Sequence, residues 1–337
     1  MSPNSPKILA IETSCDETAA AVICRGKIAS NVVATQGVHA SYGGVVPELA
    51  SRAHVQNIVP VVKKALQEAE IKQESLDAVA FTQGPGLLGT LLVGTSFAKS
   101  MAFALDLPLI AVNHLQAHVL ANLIETPQPT FPFLCLTVSG GHTQLVLVKD
   151  YLVMEVLGQT QDDAMGEAFD KIGKLLGFPY PAGPLIDHYA QQGDPNRFLF
   201  PHTSMPKLDF SFSGIKTAFL YFLQKQQAQQ ADFVEQYRAD LCASIQATLI
   251  QMAISKLQQA AHTTNIRTIA LAGGVAANSG LRSQLMRLGR RRKWNILIPA
   301  VSYCTDNAAM VAMTAHYHYL AGNFCNLEVT AKPRLGF

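Results

Sequence analysis

The sequence predicts an α/β fold assembled twice, in two domains. Three observations lead there. Strand-like apolar runs alternate with helix-like runs along the whole chain, the pattern of strands that return through helices. The segment ILAIETSCDETAAAVIC at 8–24 lies without a gap over FLCLTVSGGHTQLVLVK at 133–149, so that Ser14 meets Ser139 and Thr18 meets Thr143 at one offset of 125. The 337 residues are also more than one ordinary core organises. The first domain is placed at 1–115, completed by a C-terminal helix at about 305–337. The second is placed at 130–304, with a helical and loop insertion at about 150–235.

Taken in order, KILAIET and AAAVICR are apolar strands around a polar turn. VVPELASRAHVQNIVPVVKKALQEAE has helical character, with an interruption expected at Pro60, because proline lacks the N–H that a helix interior needs. LDAVAFTQG reads as a strand ending in glycine, LLGTLLVGTSFAKSMAFAL as a helix and LPLIAVN as the next strand. The stretch 178–213 is rich in Pro, Gly and Asp and reads as loops and short pieces. Residues 235–262 set Leu241, Ile245, Leu249, Met252 and Leu257 on one helical face.

Composition narrows the function classes. With 49% hydrophobic and 15% charged residues, the chain is a folded globular protein and not a disordered one. A net charge of +2 gives no global field for nucleic acid, so any such contact needs a local patch. The local patch is Arg287, Arg290, Arg291, Arg292 and Lys293, which is either a solvated helix end or a grip on phosphates. The six cysteines include no C-x-x-C and suggest a reducing compartment. MSPNSPK has no apolar leader, and the uncharged run at 84–98 is too short and glycine-rich to span a bilayer. A cytoplasmic protein without a membrane partner is expected.

The turns carry the first chemical signal. Val138-Ser139-Gly140-Gly141-His142-Thr143 is a turn of small residues, whose amides and hydroxyls suit a phosphate. Its counterpart, Thr13-Ser14-Cys15-Asp16-Glu17-Thr18, carries two carboxylates that repel an anion unless a metal intervenes. A third turn, TIALAGGVAAN at 268–278, runs from strand through Gly-Gly towards a helix, and its Asn278 suits a sugar or base edge. Two such hairpins with a strand–Gly-Gly–helix turn resemble the actin, sugar-kinase and Hsp70 superfamily. That resemblance implies a nucleotide clamped in a cleft between the two duplicated domains.

His114 and His118, in NHLQAHVLA, stand four apart and so share one helix face. Imidazoles so placed converge on a metal, yet 10 histidines in 337 residues give such pairs by chance, and a solvated or core-edge face is the plain alternative. A third ligand must come from elsewhere. YCTDNAAM at 303–310 offers Asp306 or Cys304, while Thr305 or Asp306 serves equally as a helix N-cap. Two histidines and a carboxylate form the facial set that leaves open positions on Fe(II) or Zn(II).

IETSCDET, YGGVVPELASR, the His-x-x-x-His, VSGGHTQL, GEAFDK, PAGPLID, DFSFSGIKT, LAGGVAAN and CTDNAAM occur in that order over nearly the whole chain. With them the sequence closely resembles the TsaD family. The resemblance implies transfer of threonylcarbamoyl from threonylcarbamoyl-AMP to N6 of the adenosine just 3′ of the anticodon, in tRNAs reading codons that begin with A, with AMP released. It implies His114, His118 and Asp306 as ligands of one Fe(II) or Zn(II). It implies Thr137, Val138, Ser139, Gly140, Gly141, Asp170, Gly183, Asp187 and Asn278 as the adenylate pocket, and a TsaB-like paralogue and a TsaE-like ATPase as partners. Ala117 and Ala182 stand where the family usually has glycine, and Ala276 replaces a serine.

The acceptor of the N6 proton stays open among Asp16, Glu17 and His142, with substrate-assisted transfer beside them. An ATP-dependent small-molecule kinase or phosphatase of the same superfamily is the main alternative, with Asp16 and Glu17 holding Mg²⁺. A zinc peptidase needs Glu directly after the first histidine, where Leu115 stands. A non-catalytic interaction subunit has no use for the two-histidine, one-carboxylate set.

Overall fold

The computed structural model describes residues 6–125, 129–202 and 205–337, so residues 1–5 of the N-terminal reading lie outside the described residues. The chain divides into two compact units. Unit 1 takes Met1–Gln128, Asp150–Met154 and Pro299–Phe337, and unit 2 takes Pro129–Lys149 and Glu155–Ile298. In chain order, unit 1 opens with β1 (Lys7–Glu12), β2 (Glu17–Cys24), β3 (Lys27–Thr35), α1 (Pro47–Glu68), β4 (Ala78–Gly84), α2 (Leu88–Leu105), β5 (Leu109–Asn113) and α3 (His114–Leu120). Next come β6 (Phe133–Val138), β7 (Thr143–Asp150), β8 (Val153–Gln159), α4 (Met165–Leu175), α5 (Gly183–Ala190), α6 (Ser213–Gln227), α7 (Phe233–Gln236), α8 (Arg238–Thr264), β9 (Thr268–Ala272), α9 (Ser279–Arg292) and β10 (Asn295–Leu297), all in unit 2 except the β7–β8 connection at Asp150–Met154, which falls in unit 1. The chain then returns to unit 1 with α10 (Ala308–Leu320). Unit 1 reaches past residue 115 because α3 starts at His114 and carries the chain onward.

The sheets have the same plan. Unit 1 orders its strands β3-β2-β1-β4-β5, and the second sheet runs β8-β7-β6-β9-β10 when read from its other edge. In both, the opening hairpin is antiparallel and the following strands add in parallel. This is the duplicated actin and sugar-kinase plan, and the hairpins that align in sequence occupy equivalent places in it. The paired threonines also do the same work. Thr18 Oγ1 lies 2.8 Å from His54 Nδ1 on α1, and Thr143 Oγ1 accepts from Met165 N–H of α4 at 2.9 Å.

Strand alternation explains the layers of unit 1. Ile8, Ala10, Ala19 and Ala21 face α10 and α3, and the alanines leave room for α10 to approach. Leu9, Ile11, Ala20 and Val22 face the other way, onto α1 and α2. α1 is not broken at Pro60, contrary to the expectation. The ring removes one helical hydrogen bond, but Ile58, Val61, Val62 and Ala65 bury against the sheet on either side and hold the helix through it. α2 extends beyond the uncharged run to 18 residues, enough to cross a membrane by length and composition. Its Leu91, Gly94, Ala98 and Ala102 are buried in unit 1, while Leu88, Leu92 and Phe103 are exposed.

Gly273, after β9, has φ +88°, and a Cβ there would overlap the Val138 carbonyl. Gly273→Ala is therefore expected to destabilise the protein by ~1–3 kcal/mol, through strain and overlap together. A fall in the denaturant midpoint checks it.

Candidate functional site

In unit 1 the chain ends β5 at Asn113, whose Oδ1 accepts from Leu115 N–H at 2.8 Å and Gln116 N–H at 3.2 Å. That cap starts α3 at His114. One turn on, the His118 ring sits edge to face with that of His114, the centroids 4.6 Å apart. Asp306 enters from the segment before α10. Its Oδ1 lies 3.1 Å from His118 Nε2 and 3.6 Å from His114 Nε2. One ligand atom from each of the three lies within 4.8 Å of the others.

The rival roles for 303–310 fall away. The cap of α10 is Asn307, whose Oδ1 accepts from Met310 N–H at 3.1 Å, so neither Thr305 nor Asp306 performs it. The buried Cys304 thiol points to the carbonyls of Pro299 and Ala300, at 3.8 and 3.4 Å.

Behind His114 stands Glu12, which the sequence reading missed. It is fully buried at the end of β1, with Oε2 3.2 Å from His114 Nδ1. Thr82 Oγ1 donates to Oε2 at 2.7 Å, and Ser14 N–H donates to Oε1. A carboxylate on Nδ1 leaves Nε2 aimed at Asp306, which is how outer carboxylates orient metal-binding histidines. The only sequence signal was an acidic residue closing the apolar strand KILAIE. Two imidazoles, a carboxylate and this support fit a divalent ion of the Fe(II) or Zn(II) type.

Burial works against charge on His114, but Asp306 and Glu12 outweigh it and raise its pKa to about 9. Below that pH a metal must displace the Nε2 proton. Zn(II) binding at neutral pH is therefore expected to release about one proton from His114, and the apparent affinity to fall up to ~tenfold per pH unit on acidification. An indicator-dye titration in weak buffer measures both. The sign in the metal-free protein is the reverse. The raised pKa stabilises the fold fully below the ordinary value of 6.5, and that contribution is lost as pH climbs through about 9.

Of the proton-acceptor candidates, Glu17 is pushed up to about 9 by burial and by the carboxylates of Asp306 and Asp16. Glu17 thus lies near Asp306 and Asp16. His142 belongs to unit 2, where its backbone closes the hairpin turn with Ser139.

In unit 2 the side chains of Thr137 and Val138 are buried in β6, so only their backbone is available to a ligand. Ser139 bonds His142 across the turn, its N–H donating to His142 O at 2.8 Å and its Oγ accepting from His142 N–H at 3.1 Å. Gly140 and Gly141 are exposed, a Cβ on either meets nothing within 4 Å, and neither has positive φ. Among the described residues their N–H groups donate to no protein atom. The start of α4 braces this hairpin, Gly166 N–H donating to Ser139 O at 3.2 Å.

The remaining pocket candidates are tied together by hydrogen bonds. Asp170 Oδ1 accepts from the N–H groups of Ala182 (2.8 Å) and Gly183 (3.3 Å). Asp187 accepts from Ser279 Oγ at 2.8 Å and from Gln246 Nε2 at 3.1 Å. Asn278 caps α9 through Leu281 N–H at 2.9 Å and donates to Gln246 Oε1 at 2.7 Å. Its carbonyl is thus engaged in the helix start and not left wholly for a ligand. Arg290, Arg291 and Arg292 occupy the last turn of α9, where cations offset the helix dipole, and Lys293 is its left-handed cap. The helix end accounts for part of that basic run. Arg287 lies one turn earlier and is exposed.

A family model described as TsaD, tRNA N6-adenosine threonylcarbamoyltransferase, matches residues 27–313. A protein of that name from Christiangramia forsetii is 56% identical over 340 aligned residues, covering 100% of both chains. One from Porphyromonas gingivalis is 53% identical, covering 97% of this chain and 98% of its own. Among solved structures, HypF from T. kodakarensis aligns with a TM-score of 0.62 at 15% identity, over 95% of this chain and 49% of its own. Component A of (R)-2-hydroxyglutaryl-CoA dehydratase from Acidaminococcus fermentans aligns with a TM-score of 0.55 at 14% identity, over 94% of this chain and 100% of its own. At such identities the two structures speak for the fold alone.

Proposed function

The chain belongs to the TsaD family of tRNA N6-adenosine threonylcarbamoyltransferases, and from that premise we propose how its residues divide the work. It is an acyltransferase whose acceptor is N6 of an adenosine in tRNA. The donor we assign is threonylcarbamoyl-AMP, and the acceptor the adenosine just 3′ of the anticodon in tRNAs reading codons that begin with A. The new bond joins N6 to the carbamoyl carbon, the carbon–oxygen bond to the phosphate breaks, AMP leaves, and one N6 proton is lost.

The observation that carries this reading is the convergence of His114, His118 and Asp306 with Glu12 behind them. A kinase on the same fold has no need of it. The ion these residues would hold, Fe(II) or Zn(II), supplies a Lewis acid for substrate oxygens. The amides of Gly140 and Gly141 take the adenylate phosphate, supported by their open, unpaired geometry. Ser139 and the backbone of Thr137 and Val138 frame that turn, and Asp170, Gly183, Asp187 and Asn278 frame the nucleoside. Asp16, Glu17 and His142 stay the candidates for receiving the N6 proton, and Glu17, held up at about 9, would first have to give up its own.

A TsaB-like paralogue is supported by an apolar face on α1 and α2. Val55, Val59, Leu88, Leu92 and Phe103 are exposed there, and a groove of about 670 Å³ runs between the helices past Leu66, Phe97 and Met101. A TsaE-like ATPase completes the proposed set, and tRNA as substrate goes with a cytoplasmic location. Transfer is tested with both partners, tRNA and threonylcarbamoyl-AMP, following the modified adenosine by mass spectrometry. Phosphorylation of a small molecule with no modified adenosine in that mixture would favour the kinase.

Arg287, Arg290, Arg291, Arg292 and Lys293 are proposed to contact tRNA phosphates. Replacing Arg287 and Arg291 with Gln is expected to weaken cognate and non-cognate tRNA alike and to lower the slope of log affinity against log salt by roughly 1–2. An unchanged slope would leave the run as a solvated helix end.

A further inference from the structure

The segment after α10 is tied to unit 1 largely through its backbone. Cys325 N–H donates to Leu109 O at 2.9 Å, Lys99 Nζ to Val329 O at 3.1 Å, and Gln83 Nε2 to Thr330 O at 2.9 Å. Lys332 N–H donates to Gln83 O at 2.8 Å and Gly86 N–H to Pro333 O at 3.2 Å. The last tie is Asn113 Nδ2 to Gly336 O, at 2.7 Å. Asn113 is also the cap of α3, through its Oδ1. One side-chain amide therefore joins this segment to the helix that carries both candidate imidazoles.

The metal candidates depend on that helix unequally. Glu12 and Ser14 both approach the His114 ring at Nδ1, each at 3.2 Å. Among the described residues His118 Nδ1 is buried with no hydrogen-bond partner. Its ring is held by Asp306 at Nε2 and rests edge to face on His114 of the same helix, so its aim follows α3. That helix has seven residues, too few to hold its shape without a cap and tertiary support. We infer that residues 325–337 act as a strap that, through Asn113, positions α3 and so aims His118 and His114 at Asp306. Asn113 is thus a positioning residue, and the inference rests on the metal reading of the three ligands.

Gly84 supplies an independent handle. It ends β4 with φ +153°, pairs in register with Asn113, and a Cβ on it would overlap the Lys332 carbonyl oxygen. Gly84→Ala therefore forces apart β4 and the strap without substituting Asn113, Glu12 or any of the three ligands.

The test uses the full chain as wild type, Gly84→Ala, Asn113→Ser and Asn113→Ala. Co(II) serves as the spectroscopic probe, and Zn(II) affinity is read by chelator competition. Asn113→Ser keeps a capping oxygen but, one atom shorter, loses the amide N–H that reaches Gly336 O. It also carries the test if Gly84→Ala folds poorly. Both variants are expected to bind Zn(II) roughly tenfold more weakly, within the range of outer-shell changes, and to shift the visible Co(II) bands. Asn113→Ala, lacking the cap as well, is expected to bind more weakly still. Wild-type affinity and spectrum in Asn113→Ser, or in a folded Gly84→Ala, overturn the strap. A wild type that binds neither ion overturns the metal reading beneath it.

Discussion

Asp306→Ala is expected to lose the bound metal and to lower threonylcarbamoyl transfer by at least about a hundredfold, the scale of a Lewis acid worth several kcal/mol. The fold is expected to survive. Asn307, not Asp306, caps α10, so the substitution leaves the helix start intact. What it removes is the carboxylate oxygen that faces both Nε2 atoms, at 3.1 and 3.6 Å. A second consequence follows in the metal-free protein. Asp306 and Glu12 together hold His114 up at about 9 against the opposing pull of burial. Without Asp306 the His114 pKa must fall, which an NMR titration of the ring reads directly. Elemental analysis, transfer with preformed threonylcarbamoyl-AMP, and that titration therefore separate three effects. Full transfer by metal-free Asp306→Ala would sink the metal-assisted reading, whereas an unmoved His114 pKa would show that the three groups do not converge.

The duplication was legible because its signal is local. Two hairpins at an offset of 125 preserve a serine and a threonine, and the threonine anchors the following helix in both halves. The His pair was legible for the same reason, its period being that of one helix turn. What lay hidden depends on partners far apart in the chain. Glu12 lies 102 residues from His114, and nothing in KILAIE names its partner. Thr305, Asp306 and Asn307 are three good N-cap types in a row, and only the bond from Met310 shows that Asn307 is the cap. Asn278 offers the opposite lesson. A residue suited to a base edge by type also caps α9 and binds Gln246. Pro60 misled because the packing of α1 on the sheet outweighs the one hydrogen bond that proline removes.

Gly141→Val is expected to abolish adenylate binding, raising the dissociation constant for AMP by about a hundredfold or more, while the denaturant midpoint stays near that of wild type. Two glycines differ in what the fold asks of them. Gly273 is demanded by the fold, since a Cβ there would strike the Val138 carbonyl and its φ is +88°. Gly141 is demanded by nothing within the protein. A Cβ on it meets no atom within 4 Å, its φ is not positive, and it lies one residue before His142 at the edge of β7. Valine at this bend therefore meets neither a clash nor a positive φ. The cost of valine therefore falls on whatever approaches the turn from outside. An isopropyl group beside the unpaired amides of Gly140 and Gly141 keeps a phosphate oxygen from hydrogen-bond distance, and losing charge-assisted bonds to two amides is worth several kcal/mol, at roughly 1.5–3 each. Gly141→Ala, with one small methyl, is expected to lie between. Calorimetry with AMP and chemical denaturation of the same samples measure the two quantities. Wild-type affinity in a folded Gly141→Val would remove the phosphate from this hairpin. Equal loss of affinity and stability would instead make the turn structural.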